Sequence, residues 1–334
     1  MSDQRTLGMG ELEKIENHPF EKAPFAHGAI AANQRRDDIV VLTADLGKYT
    51  DVYPYRDAFP DRYFNVGMAE QALVTVAAGL SHAGLIAYCT TYGAFATRRA
   101  YDFLAIACAH GNANVKMFAG NPGLTTGYGG THQAIEDLAL MRAIPDMTVI
   151  DPCDATEMAQ VAEQAADIDG TVYSRLLRGN VPTVFDPETY RFELGKAKRF
   201  GTGSDVGFIS TGFMTERCLD AAEALRVQGI NASVLHVGTI KPFDEDGVAE
   251  FAQSVDHVVT AENHILVGAL TSLATETLYH NGIQKPLLRI GIPDRFIECG
   301  SLSYLQTKYG LTAKRVVEQV LDWLRITRPQ HERT

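Results

Sequence analysis

Strand-like runs and helix-like segments alternate along almost the whole chain, and this alternation limits the fold more than any other feature. Ile39-Val40-Val41-Leu42-Thr43 is a β-branched run of the type buried on both faces. Around it the pattern predicts helices over 26–35, 69–83, 97–109, 135–142 and 155–166. Strands are predicted over 39–43, 86–89, 115–118, 148–150 and 171–177. Strands separated by helices need crossover connections, and these build a mostly parallel sheet with helices on both faces. The rhythm breaks between Asp186 and Ser204, a stretch with Pro187, three glycines and the charged run Lys196-Ala197-Lys198-Arg199. A second series follows, with strands over 206–210, 232–237, 257–260 and 287–290 and helices over 215–227, 244–253 and 267–280. An amphipathic helix over 313–326, introduced by Thr312, closes it. The expected architecture is α/β with two doubly wound domains. Their expected bounds are 25–190 and 205–330, with a linker over 191–204 and a polar, unpatterned lead-in over 1–24.

The chain has 334 residues, enough for two domains with separate cores. Its net charge of −11 argues against nucleic acid as a partner, because a phosphate backbone would be repelled. No apolar run approaches membrane-spanning length, and Met1-Ser2-Asp3-Gln4-Arg5 lacks the apolar core of a signal peptide. A cytoplasmic protein with no membrane partner is expected. The five cysteines, 89, 108, 153, 218 and 299, are scattered, and no pair has metal-ligand spacing. Reduced thiols, and no metal site of this chain's own, are the expectation.

Within this frame one stretch concentrates the chemistry. Asn65-Val66-Gly67-Met68-Ala69-Glu70-Gln71 places an acid in the first turn of a helix built of Ala, Leu, Val and Gly. Glu70 is the only acid between Asp61 and Asp102. A carboxylate walled by apolar groups must take up a proton or find a donor. Capping of free helix N–H groups is the alternative role for such an acid.

That stretch resembles the signature of the pyrimidine-binding domain in thiamine diphosphate enzymes of the transketolase family. The resemblance continues through Val41-Leu42-Thr43-Ala44-Asp45-Leu46, Thr91-Tyr92-Gly93-Ala94-Phe95 and Gly129-Gly130-Thr131-His132-Gln133-Ala134-Ile135-Glu136-Asp137-Leu138-Ala139. It resumes in Lys241-Pro242-Phe243 and Ala261-Glu262-Asn263-His264, and so spans residues 25 to about 325 in family order. It implies a pyrimidine-binding domain followed by a transketolase C-terminal domain, made as a separate subunit. Its implied activity is transfer of a two-carbon ketol unit from a ketose to an aldehyde or aldose, with small sugars as substrates.

The resemblance also implies roles for single residues. Glu70 would contact ring nitrogen N1′ of the aminopyrimidine and favour its imino tautomer. Tyr92 and Phe95 would pack on that ring, although ordinary core packing suits them equally. Met68 and Asp45 fall at cofactor-side positions, and Asp45 also fits a strand-end turn. His132 would face substrate oxygens as donor or general acid–base. Arg178 would hold an anionic tail, and its fork suits phosphate, sulfonate or carboxylate alike.

Departures from the family pattern bear on the substrate. Tyr128 stands where family members carry an acid that contacts a sugar hydroxyl. Gly120-Asn121-Pro122-Gly123 replaces a region with a second substrate histidine, and Gly47-Lys48-Tyr49 replaces a phosphate-contacting serine. No arginine occurs near 22–27, where Lys22 and His27 stand instead. Cofactor activation is therefore better supported than ketose-phosphate recognition. The chain also lacks the Gly-Asp-Gly motif that holds the diphosphate through Mg²⁺ or Ca²⁺. The metal would then sit on an N-terminal partner subunit, in an α₂β₂ heterotetramer. Two other readings stay open: the β-subunit of a 2-oxo-acid dehydrogenase or acetoin-type complex, and a non-catalytic assembly subunit.

Overall fold

The computed structural model describes residues 18–327, so most of the expected lead-in lies outside the described residues. In chain order the first series is β1 (Phe20–Lys22), α1 (Pro24–Arg35), β2 (Ile39–Thr43), α2 (Tyr53–Ala58), β3 (Tyr63–Asn65), α3 (Glu70–His82), β4 (Ile86–Tyr92) and α4 (Gly93–Arg99). It continues with α5 (Tyr101–Phe103), a π-helical segment Leu104–His110, β5 (Val115–Gly120), α6 (Asp137–Arg142), β6 (Thr148–Ile150), α7 (Ala155–Gln164), β7 (Val172–Leu176) and β8 (Asn180–Pro182). The second comprises β9 (Lys198–Phe200), β10 (Val206–Ser210), α8 (Met214–Arg226), β11 (Ala232–His236), β12 (Thr239–Lys241), α9 (Glu245–Gln253) and β13 (His257–Ile265). It ends with α10 (Leu270–His280), β14 (Leu287–Ile292), α11 (Leu302–Lys308) and α12 (Ala313–Thr327).

Two large sheets result. The first runs β12-β6-β7-β5-β4-β2-β3 and the second β14-β13-β10-β11-β9. All pairings within them are parallel except β12 on β6 and β9 on β11. Every residue of β2, β4, β5 and β7 is buried, because helices cover both faces. The side chains alternate between two cores. Ile39 and Val41 join Phe25, Tyr88, Phe118 and Met158 on the α1–α7 face. Val40 and Leu42 join Leu73, Val74, Cys89 and Met117 on the α3 face. Close α1–α7 packing depends on Gly28, where a Cβ would lie 2.1 Å from the Ala159 carbonyl oxygen.

The expected linker is not a free tether. Its residues 198–200 form β9, paired antiparallel with β11. The Gly195 N–H donates to Thr239 Oγ1 at 3.1 Å, and the Ala197 N–H to Asp244 Oδ2 at 2.8 Å. Strand β12, well past the linker, adds an edge to the first sheet through Thr239↔Ile150 and Lys241↔Val149. The α3-face core also runs on without a break into Ile240, Phe251 and Leu270 of the second series. The two series are thus docked as one body. Among the described residues no helix is long and apolar enough to cross a membrane.

Candidate active site at the carboxyl ends of the first sheet

Parallel α/β sheets offer ligand sites beyond the carboxyl ends of their strands. Here β2, β3, β4, β5 and β7 deliver Asp45, Glu70, Tyr92, Asn121 and Arg178 to that edge. The loops after β2 and β3 are tied together by Asn65. Its Oδ1 accepts from the N–H groups of Asp45 and Gly67, each at 3.0 Å, and its Nδ2 donates to Asp45 Oδ1 at 2.9 Å. Asp45 takes a left-handed backbone (φ 58°), and Gly67 follows suit (φ 78°). Both loops turn sharply there, as Asn, Asp and Gly allow.

Glu70 opens α3 behind Ala69, which offers no side-chain cap. Its side chain is only 5% exposed, and its Oε1 accepts from Arg99 Nη1 at 2.9 Å. The wall around Glu70 is therefore not purely apolar, as the sequence pattern suggests. Arg99, at the end of α4, brings the counter-charge that a buried carboxylate needs. The same guanidinium lies 4.0 Å from the ring centre of Phe95. Glu70 spends its carboxylate on Arg99 rather than on helix capping. Beside this group the surface is open and apolar: Met68 is 82% exposed and Phe64 45%.

Four candidate residues form one aromatic cluster. Ring centres lie 5.7 Å apart for Tyr92–Phe95, 5.3 Å for Phe95–His132, 6.2 Å for Tyr92–His132 and 5.5 Å for Tyr128–His132. Thr131 Oγ1 sits 2.8 Å from His132 Nδ1. Partial burial, and then the Arg99 charge, hold the His132 imidazole below its ordinary pKa, so it is neutral in neutral solution. Burial pushes the Tyr92 phenol up, against the pull of Arg178.

The glycine-rich stretch before His132 reads as a flexible loop, but its surroundings brace it. Arg98 Nη1 donates to the Gly130 carbonyl at 2.5 Å and Nη2 to the Gln133 carbonyl at 3.0 Å. The second domain packs from the other side: a Cβ on Gly127 would lie 2.0 Å from the Gly300 oxygen. One on Gly129 would lie 2.7 Å from Cys299 Sγ. The glycines let two backbones touch, so they stiffen the loop instead of loosening it.

Arg178 is largely buried, and its Nε donates to Asn121 Oδ1 at 3.1 Å. Asn121, Arg98 and Arg99 are the residues that sequence reasoning missed. Gly120-Asn121-Pro122-Gly123 does signal a turn, and Asn121 adopts φ 51° there. Nothing local announces the three contacts, whose partners lie far off in sequence. Several buried polar atoms along this rim lack hydrogen-bond partners: Thr91 Oγ1, Asn121 Nδ2, Thr126 Oγ1 and Gln133 Oε1. Such atoms mark room for water or ligand.

Residues 25–183 match the family of transketolase pyrimidine binding domains, and residues 195–316 that of transketolase C-terminal domains. A transketolase family protein of Sinorhizobium fredii is 48% identical over 92% of this chain and 90% of its own length. A 6-deoxy-6-sulfo-D-fructose transketolase subunit of a Clostridium species is 43% identical over 91% of this chain and 94% of its own. Among solved structures, a split gene transketolase described as an inactive β₄ tetramer superposes with a TM-score of 0.82. It is 38% identical, and the match covers 93% of this chain and all of the other.

Proposed function

The chain belongs to the transketolase family, and on that premise we propose that it is the C-terminal subunit of a two-chain transketolase. In this reading it moves a two-carbon ketol unit between sugars with thiamine diphosphate. A partner subunit supplies the diphosphate site and its Mg²⁺ or Ca²⁺. The observation that carries the reading is the Glu70–Arg99–Phe95 arrangement beside an exposed apolar rim. A planar, nitrogen-bearing group is already seen bonded to the carboxylate and lying over the aromatic ring. An aminopyrimidine asks for the same two neighbours, so the residues present fit that half of the cofactor. They do not fit the other half, since no Gly-Asp-Gly occurs in the chain.

Thiamine diphosphate, when bound, supplies a nucleophilic carbon for the two-carbon unit. The chain's own residues then have separate tasks. Glu70 would hydrogen-bond a ring nitrogen in the place Arg99 now takes, and Phe95 and Tyr92 would orient the ring plane. Asp45 and the exposed Met68 line the cofactor and partner side. His132, neutral and braced by Arg98, donates or accepts a proton at substrate oxygens. Tyr128 shapes the same pocket. Arg178, propped by Asn121, takes the anionic tail. The relative named for a sulfosugar supports a sulfonate as readily as a phosphate at that tail.

The relative described as an inactive β₄ tetramer supports the need for a second chain. An α₂β₂ assembly gives two complete sites from two copies of each chain. Titration of the isolated chain with thiamine diphosphate and Mg²⁺ tests this. Weak or no binding and no turnover are expected, with ketol transfer appearing once a Gly-Asp-Gly partner is added. Micromolar binding and turnover by this chain alone would overturn the proposal. Decarboxylation of 2-oxo acids without ketol transfer by the pair would favour a dehydrogenase-type subunit instead.

A further inference from the structure

Where the segment before β1 meets α8, the chain gathers three metal-ligating side chains. Glu216 and Asp220 stand four residues apart on α8 and share one face of the helix. His18 comes from the segment just before β1 and reaches the same spot. One ligand atom from each lies within 4.8 Å of the other two.

A cluster of this kind can be a simple hydrogen-bonded group, and a second observation argues otherwise. Glu216 is 1% exposed, yet neither of its carboxylate oxygens has a hydrogen-bond partner. Arg217 Nη1 approaches one of them at 3.2 Å without hydrogen-bond geometry, and Arg217 Nε is itself without a partner. Burial pushes the Glu216 carboxyl up to about 7, with Asp220 adding to the rise and Arg217 opposing it. One guanidinium against two carboxylates leaves a negative charge over. A buried carboxylate left in that state calls for a proton or a cation.

We infer that His18, Glu216 and Asp220 form a site for a divalent transition-metal ion of the Zn²⁺ or Mn²⁺ class. One imidazole nitrogen and two carboxylate oxygens suit such ions better than Mg²⁺, which prefers oxygen ligands alone. The role is structural. His18 lies ahead of the first domain and the carboxylates lie in the second, so the ion staples the two across their junction. All three ligands come from this one chain.

The test uses the full-length chain, stripped with a chelator, in a Cys299→Ser background to remove the exposed thiol. Calorimetric titration with ZnCl₂ and with MnCl₂ should show one saturable equivalent per chain, and the melting temperature should rise on addition. His18→Ala and Asp220→Asn should each weaken binding by about tenfold or more. They should melt like the parent in chelator, because the site is empty there. Glu216→Gln should fold in chelator and no longer gain stability from Zn²⁺. Absence of saturable binding, or binding unchanged in His18→Ala, overturns the inference. So does a parent whose melting temperature does not respond to metal, since a hydrogen-bonded group then explains the cluster.

Discussion

Arg175 and Arg178 stand three residues apart at the end of β7, and they belong to two opposite kinds of polar region. Arg175 is sealed inside the junction of the two domains. It bonds Asp137 at 2.9 and 2.5 Å, Asp151 at 3.2 Å and the Asn263 carbonyl at 3.2 Å. Tyr173 and Thr211 donate to the same carboxylates at 2.7 and 3.2 Å. Nearby, His236 pairs with Glu157 at 2.8 Å, backed by Thr215 at 2.7 Å and Tyr190 at 2.6 Å. Arg178 instead sits at the rim, among the partnerless polar atoms and exposed apolar side chains of the candidate site. At the junction the chain answers its own charges, so their polarity holds the two domains in place. At the strand ends the ion pair of Glu70 with Arg99 lies at an open rim, and several buried polar atoms have no partner.

Glu70→Gln tests the difference most severely. In the reconstituted complex with saturating cofactor, an amide cannot share the ring proton, and turnover should fall by about 10²–10⁴-fold. The melting temperature of the chain should barely move, because the Arg99 contact sits at an open rim. Near-normal turnover would remove Glu70 from the chemistry. A collapse of stability would place it with Arg175 as an architectural charge.

Arg175→Met should do the reverse. Two carboxylates with almost no solvent contact would lose their common partner. Breaking such a buried pair costs about 3–5 kcal/mol. Chemical denaturation should show this loss, or the variant should fail to accumulate as folded chain. A loss under about 1 kcal/mol would mean that water reaches the junction and that the two regions differ less than their geometry shows.

The contrast also explains what the sequence alone could reveal. Ile39–Thr43 is a strand to the residue, because a β-branched run buried on both faces carries its own signature, and Thr148–Ile150 and Val206–Ser210 also keep their expected bounds. Three-residue strands such as β3, β9 and β12 carry none; their pairing partners, not their composition, make them strands. The expected helix over 97–109 is broken into α4, α5 and a π-helical segment. At the site, Tyr92, Phe95, Tyr128 and His132 were readable as a set and do converge. Arg99 on Glu70, Arg98 on Glu136 and Arg178 on Asn121 join residues 29, 38 and 57 apart. No local period encodes such contacts, so only the fold exposes them.

Arg178→Ala gives a smaller effect that sharpens the site side of the contrast. A charge-assisted bond to an anionic tail is worth about 1.5–3 kcal/mol. KM for an anionic donor should therefore rise by about tenfold or more, with kcat changed less. A neutral donor should be nearly unaffected. Equal losses for anionic and neutral donors would show that Arg178 acts on the fold through Asn121.

The smallest effect lies at the junction and concerns its two carboxylates, which titrate in opposite directions. Burial alone would push Asp137 up, but Arg175 outweighs it and holds that carboxyl below its usual range. Asp151 shares the same guanidinium less closely, and burial pushes it up to about 6. Unfolded, an Asp titrates near 3.9. Between about pH 4 and 6 the folded chain therefore binds more proton at Asp151 than the unfolded chain does. Stability from this group is complete below that window and is lost as pH rises through it. Asp137 does not interfere, because its contribution fails only at lower pH. Asp154 and Glu216 are also raised, so the parent's slope is a sum, and the variant must be compared with the parent. Urea unfolding at pH 4.5 and 6.5 should show Asp151→Asn losing less stability across the interval than the parent, by about 1–2 kcal/mol. Identical slopes would mean that Asp151 is ionised throughout, and that Arg175 satisfies both carboxylates equally.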